Sequence, residues 1–266
     1  MARQRLGQHF LNGPGWQKRI LDTLPRGLDD VWIEIGPGHG EMTRVLAARG
    51  RRLIAIEADT RLAANLEEAV RAQPDQWPGV EVVTGDVLDI DLARLAGGKF
   101  RVYGNLPYYI TSPILHQLFA CAKQVSSIHA VMQLEVAARV VARPGGHEYG
   151  YLSSACQFYT RPKIALKIPP GAFRPPPKVT SALVQMATPG EGASLNIADE
   201  PKFLKFIQLC FSHKRKTLRN NLLTVAPDRR IHETLASCGL RADARAEQLS
   251  LVHFAALFAA FASMSP

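Results

Sequence analysis

Val31-Trp32-Ile33-Glu34-Ile35-Gly36-Pro37-Gly38-His39-Gly40 passes from a largely apolar strand straight into a glycine turn. Similar apolar runs, rich in β-branched residues, recur at Leu53–Glu57, Val80–Thr84, Phe100–Tyr103, Ile128–Gln133, Ile164–Ile168 and Val179–Met186. Helical periodicity fills most of the intervals, over Gly40–Arg49, Thr60–Gln73, Ser112–Ala122, Glu135–Ala142 and Tyr151–Tyr159. Alternating strands and helices imply a parallel sheet covered on both faces, a doubly wound α/β fold. The last two strands have no helix between them, so an antiparallel, hairpin-like edge is expected there. Five prolines, Pro169, Pro170, Pro175, Pro176 and Pro177, stiffen their connection.

Composition changes after residue 188. Thr188-Pro189-Gly190-Glu191-Gly192-Ala193-Ser194 has turn residues and no periodicity, so it reads as a linker. Beyond it no strand pattern occurs. Pro201–Leu223 reads as one two-faced helix, followed by helical segments near Arg229–Cys238 and Ser250–Ala262. The expected division is therefore a catalytic domain over residues 1–188 and a small all-helical domain over 189–266.

The glycine turn lets the backbone approach a ligand at a helix N-terminus. Its pattern is GxGxG after an acid, Glu34-Ile35-Gly36, rather than the GxGxxG of dehydrogenases. Glu57 ends the next strand, 21 residues after Gly36, where a carboxylate can accept bonds from two ribose hydroxyls. Asp86 ends the strand after that and is placed to accept from an adenine amino group. Singly, each acid reads as a helix cap or a solvated loop residue. Three at successive strand ends resemble the Rossmann-like S-adenosylmethionine-dependent methyltransferases, with S-adenosyl-L-methionine as donor and S-adenosyl-L-homocysteine as product.

Gly104-Asn105-Leu106-Pro107-Tyr108-Tyr109 follows the fourth strand. An adenine amine is a poor nucleophile because its lone pair is delocalised into the ring. Acceptors at the Asn105 side chain and the Leu106 carbonyl can hold both amino hydrogens and favour a pyramidal nitrogen. Pro107 stiffens the turn, and Tyr108 offers a face on which the base stacks. No strong base is needed first, because the amine can lose its proton after attack.

Together these residues resemble the ribosomal RNA adenine dimethyltransferases, over nearly the whole chain. Leu6-Gly7-Gln8-His9-Phe10-Leu11 is similar to the family's entry motif, and Phe173-Arg174-Pro175-Pro176-Pro177-Lys178-Val179-Thr180-Ser181 to its FxPPPKVxS segment. The resemblance implies cofactor contacts at His9, Leu11, Gly36, Gly38, Glu57, Asp86 and Asn105. It implies target-base contacts at Asn105, Leu106, Pro107, Tyr108 and Phe173, the last lying across the base from the tyrosine. It also implies two methyl groups on each of two adjacent adenosines in the 3′-terminal hairpin of small-subunit rRNA, within an assembling subunit. There are two departures from the pattern: His9 stands where many members have Asn, and Tyr109-Ile110-Thr111-Ser112 replaces the commoner N-I-S-T.

Charge is consistent with a polyanionic partner. The 266-residue chain carries a net charge of +9. Residues 1–26, 161–178 and 201–221 hold +4, +5 and +6, leaving −6 for the remainder. The segment Lys214-Arg215-Lys216, with Arg219, resembles the family's basic segment, and rRNA phosphate contacts are expected there. The alternative for any single lysine is a solvated helix face.

No apolar run nears the ~20 residues of a membrane span, and the basic start lacks the apolar stretch of a signal peptide. A cytoplasmic monomer is expected. Cys121, Cys156, Cys210 and Cys238 are scattered and the histidines lack ligand spacing, so no metal is expected, and Cys156 and Cys210 read as core. Tyr149, Tyr151 and Tyr159 read as packing residues. The rivals are a large-subunit, antibiotic-resistance methyltransferase, a non-catalytic ribosome assembly factor, and a nicotinamide dehydrogenase. Leu106 and the Pro-Pro-Pro-Lys run disfavour the first. The intact glycine loop and Asn105 disfavour the second, and the absence of a hydride-transfer acid the third.

Overall fold

The computed structural model describes residues 9–27 and 29–262. The basic opening, with Arg3 and Arg5, and Leu6, Gly7 and Gln8 of the entry motif lie outside the described residues. The chain divides into two compact units. One comprises residues 1–137 and Pro162–Thr188, the other Ala138–Arg161 and residues from Pro189 on.

In chain order the elements are β1 (Phe10–Leu11), α1 (Pro14–Thr23), β2 (Val31–Ile35), α2 (Glu41–Leu46), β3 (Arg52–Glu57), α3 (Thr60–Ala72), β4 (Val80–Thr84), α4 (Leu92–Ala96), β5 (Phe100–Asn105), α5 (Thr111–Ala120) and β6 (Val125–Gln133). Then follow α6 (Leu134–Val141), α7 (Tyr151–Tyr159), β7 (Arg161–Ile168), β8 (Phe173–Arg174) and β9 (Ser181–Ala187). The remaining helices are α8 (Glu200–Cys210), α9 (Leu218–Leu222), α10 (Asp228–Ser237) and α11 (Leu251–Ala262).

The first unit is built on a seven-stranded sheet in the order β4-β3-β2-β5-β6-β9-β7. β4, β3, β2, β5 and β6 run parallel, and β9 is antiparallel to β6. Every residue of β2 is buried, as expected for a central strand covered on both faces. β7 and β9 are neighbours, as their lack of an intervening helix suggests, but β9 inserts beside β6 and leaves β7 outermost. The order reverses between β2 and β5: the chain winds outward through β3 and β4, then returns to β5. That switch point opens a crevice at the carboxyl ends of β2 and β5, where both the glycine turn and the Asn105 turn emerge.

A two-stranded antiparallel sheet is not legible in the sequence. β1 pairs with β8, setting Phe10 opposite Arg174 and Leu11 opposite Phe173. It joins the entry motif to the proline-rich segment far along the chain, Leu11 meeting Phe173. Local chemistry places other elements: Asp59 accepts from the backbone N–H groups of Arg61 and Leu62 to start α3, and Asp91 caps α4.

The second unit is helical, but it is not confined to residues after 188. It takes in residues 138–161, including α7. The reason is packing. Phe158 of α7 lies 5.4 Å from Phe203 of α8, and Tyr149 lies 5.9 Å from Phe211. Tyr149, Cys156 and Cys210 are buried, as their reading as core requires. The single helix expected over Pro201–Leu223 is broken into α8 and α9. Between them the chain turns, and the buried Asn221 side chain donates to the carbonyls of Cys210 (2.7 Å) and His213 (3.3 Å). Thr217 caps the new helix through its hydroxyl.

Candidate active site

The switch-point crevice is a cleft of about 890 Å³, open mouth included. Its walls include His9, Gly36, Gly38, Glu57, Asp86 and Asn105, together with Leu106, Pro107 and Tyr108. Residues spread over a hundred positions thus meet because β2, β3, β4 and β5 end side by side.

Gly36, Gly38 and Gly40 have φ of +70°, +61° and +85°, a region that side chains resist. A Cβ on Gly38 would fall 2.6 Å from the Phe10 ring, so glycine is also required by that contact. The Phe10 ring sits 4.5 Å from His39. Glu57 is buried, and its two carboxylate oxygens accept from the Gly38 and Asp59 N–H groups, each at 3.0 Å. A carboxylate has about four acceptor positions, so each oxygen keeps one for a ribose hydroxyl. One Asp86 oxygen accepts from the Leu88 N–H at 3.0 Å, which holds the carboxylate at the start of a short 3-10 turn. The glycine cradle, the braced carboxylates and the apolar sides from Ile56 and Val87 fit a nucleoside-bearing cofactor.

The Asn105 turn is equally braced. Asn105 Nδ2 donates to the His9 carbonyl at 2.7 Å, so its Oδ1 remains an acceptor. Leu106 is buried, and its N–H donates to the Val131 carbonyl. A Cβ on Gly104 would meet Leu106 Cδ2 at 2.8 Å, so glycine admits that side chain. Tyr108 OH lies 3.0 Å from Ser181 Oγ, fixing the ring. Thr111, one of the residues departing from the family's pattern, donates its hydroxyl to the Pro107 carbonyl.

Two of the residues expected to make contacts lie away from the cleft wall. Leu11 and Phe173 are 7% and 2% exposed and belong to the hydrophobic core with Trp32, Met42 and Tyr103, not to the cleft wall. Strand parity explains this. The two are paired across β1 and β8 and share its core-facing side, while their neighbour Phe10 faces the cleft. Phe10, Ile56 and Val87 line the cleft without having been singled out from sequence. The only signal for them was adjacency to residues that were.

The basic cluster is also sorted by the structure. Lys214, Arg215 and Lys216 lie exposed in the turn between α8 and α9 rather than on a helix face. Lys214 Nζ donates to the His147 carbonyl, and Arg219 forms a bidentate pair with Asp228 through Nε and Nη2. Arg219 therefore engages a carboxylate of its own chain, in a pair that stays partly exposed at the surface.

A profile of the family described as "Ribosomal RNA adenine dimethylase" matches residues 1–263. The chain belongs to the ribosomal RNA adenine dimethylase family. It is similar to the "Ribosomal RNA small subunit methyltransferase A" of Acidobacterium capsulatum, at 40% identity over 96% of this chain and 90% of that one. Its likeness to the protein of the same description from Xanthomonas campestris is 39%, over 95% and 94% of the two chains. Among solved structures, a dimethyladenosine transferase from Plasmodium falciparum superposes with a TM-score of 0.82 at 23% identity, covering 96% and 98% of the chains, and so supports the fold. The 23S rRNA methyltransferase ErmE gives a TM-score of 0.70 at 28% identity, covering 95% and 99%. Family membership agrees with an S-adenosylmethionine-dependent methyltransferase fold, and among the described residues no helix is long and apolar enough to cross a membrane.

Proposed function

We propose that this chain dimethylates the N6 amines of two adjacent adenosines in the 3′-terminal hairpin of small-subunit rRNA, acting on an assembling subunit. The carrying observation is one cleft that joins a braced Gly36–Gly40 cradle, Glu57 and Asp86 to the Asn105-Leu106-Pro107-Tyr108 turn. Glu57 and Asp86 hold the nucleoside of the cofactor, and the cradle admits its methionine part. When bound, S-adenosylmethionine supplies an electrophilic methyl group.

The chain's own residues do the rest by placement. The Asn105 amide is held by the His9 carbonyl, which turns its Oδ1 into a dedicated acceptor for one amino hydrogen. The Leu106 carbonyl takes the second. Holding both hydrogens draws the amine toward pyramidal geometry and frees its lone pair for attack, so catalysis here is orientation and electrostatics. Tyr108, anchored to Ser181, supplies the stacking face. Arg215 and Lys216 engage rRNA phosphates.

The test is methyl transfer from radiolabelled cofactor to small subunits lacking the modification, with mass spectrometry of the 3′-terminal rRNA fragment. Four methyl groups on two adjacent adenosines are expected. Asn105→Ala is expected to lose about a hundredfold or more in kcat, the scale of removing one positioned polar group. Transfer to large-subunit RNA instead would move the chain to the resistance class. Tight subunit binding without any transfer would make it an assembly factor.

A further inference from the structure

β7 is the outermost strand of the large sheet, and its alternate residues meet different surroundings. Leu166 and Ile168 pack in the core that holds Ile20 and Trp32. Lys163 and Lys167 hold the other register, so they share a face, and both stand exposed. Four residues of strand set them roughly 13 Å apart. Neither lines the cleft. Residues 161–178 contain five bases and no acid, so nothing nearby in the chain neutralises them. Several surface arginines elsewhere are matched: Arg52 with Glu81, Arg101 with Asp30, Arg229 with Glu233 and Arg241 with Asp243. Among the described residues, neither Lys163 nor Lys167 forms an ion pair. Charge on an outermost strand does keep it from pairing with another sheet. Either sign achieves that, so guarding the edge does not explain why every charge here is positive.

We propose that the exposed face of β7, through Lys163 and Lys167, is a second rRNA-contacting surface. It belongs to the first unit and is distinct from both the cleft and the Arg215–Lys216 turn. The proposal rests on the rRNA reading above and extends it, since the unit that takes the target base also holds the RNA backbone outside the cleft. A duplex presents one phosphate per about 3.4 Å of axis on each strand, so the interval between the lysines spans several. Contacts of this kind carry no sequence information but fix register and orientation.

Two double variants, Lys163→Ala with Lys167→Ala and Lys163→Glu with Lys167→Glu, separate this role from edge protection. They are compared with wild type by filter binding to small subunits over a salt series, light scattering of the free protein, and calorimetric binding of S-adenosyl-L-homocysteine. Each lost phosphate contact lowers the slope of log affinity against log salt by about one, so the Ala pair is expected to lower it by about two. The Glu pair is expected to bind more weakly still, because it repels the same phosphates. Product affinity within about twofold and an unchanged scattering mass are expected in both. A wild-type slope in the Ala pair would overturn the proposal. So would a Glu pair that binds like wild type while the Ala pair self-associates, since the lysines then only guard the strand edge. A matching fall in product affinity would overturn it too, by placing the damage in the cleft. Wild-type protein that binds small subunits without methylating them would sink the reaction reading alone, and the slopes would still decide this surface. Protein that binds neither ribosomal subunit would sink both.

Discussion

Glu34 sits in the middle of β2, 2% exposed, two residues from the glycine that opens the cleft. Burial pushes its carboxyl up to about 8, with Glu41 and Glu57 adding to the rise and the Thr43 hydroxyl opposing it. The group is therefore protonated in the folded protein at neutral pH, whereas it ionises in the unfolded chain. For an acid raised on folding, the folded state binds the extra proton, so its contribution to stability is full at low pH. It declines as pH rises from about 4.5 to about 8 and is absent above. Glu34→Gln removes this dependence. Wild type is expected to lose stability relative to the variant across that window, by at most about 1.4 kcal/mol per pH unit. Thermal melting at stepped pH reads it, and parallel curves would mean that Glu34 is charged when folded. In the sequence both acids stand near the carboxyl ends of apolar strands, a position that does not tell a buried carboxyl from a braced carboxylate. Neighbouring strands decide the difference. Glu34 lies between Ala55 and Tyr103 in the sheet interior, while Glu57 finds two backbone N–H donors at the sheet's end.

Elements were readable where their pattern was long. β2 and β4 occupy their expected residues, and α3 runs over Thr60–Ala72. The failure at Pro201–Leu223 is informative, because apolar periodicity continues through Phe211 to Leu222 while the helix does not. Periodicity records which side chains are buried but not whether backbone hydrogen bonds run unbroken between them. Here a side chain, Asn221, takes over the carbonyls that the broken helix leaves at Cys210 and His213. Asn221→Ala strands both, at a cost of about 1–3 kcal/mol. A drop of several degrees in the melting midpoint is expected, and an unchanged midpoint would show that solvent replaces the amide. The β1–β8 pairing could not be read for a different reason. Two-residue strands carry no periodicity, and their partner lies far away in the chain.

At the scale of the whole molecule the useful quantity is which cations are free. Arg219, Arg229 and Arg241 are each bonded to a neighbouring carboxylate, Asp228, Glu233 and Asp243. Arg215 and Lys216 are exposed in the turn between α8 and α9, and we assign phosphate contact to them. Each phosphate contact releases about one counterion, so Arg215→Ala or Lys216→Ala should each lower the slope of log affinity against log salt by about one. Arg219→Ala should leave that slope close to wild type. Filter binding to small subunits over a salt series separates the two cases, and equal effects at all three positions would restore Arg219 to the RNA face. Counting charges gave +6 for residues 201–221, but it could not separate bases spent internally from those left for a partner.

Sequence alone determined the doubly wound sheet, the glycine cradle, the acids at successive strand ends and the Asn105-Leu106-Pro107-Tyr108 turn. Each is a local pattern imposed by backbone conformation or by the periodicity of burial, so each is written in consecutive residues. Only the tertiary structure decided that Leu11 and Phe173 turn into the core, and that His9 bridges Asn105, Tyr108 and Pro175. It also decided that residues 138–161 join the helical unit and that Arg219 is already paired. Those outcomes depend on strand parity, on ring packing between distant segments and on competition among charges for partners. Such quantities exist only once residues far apart in the chain share a surface.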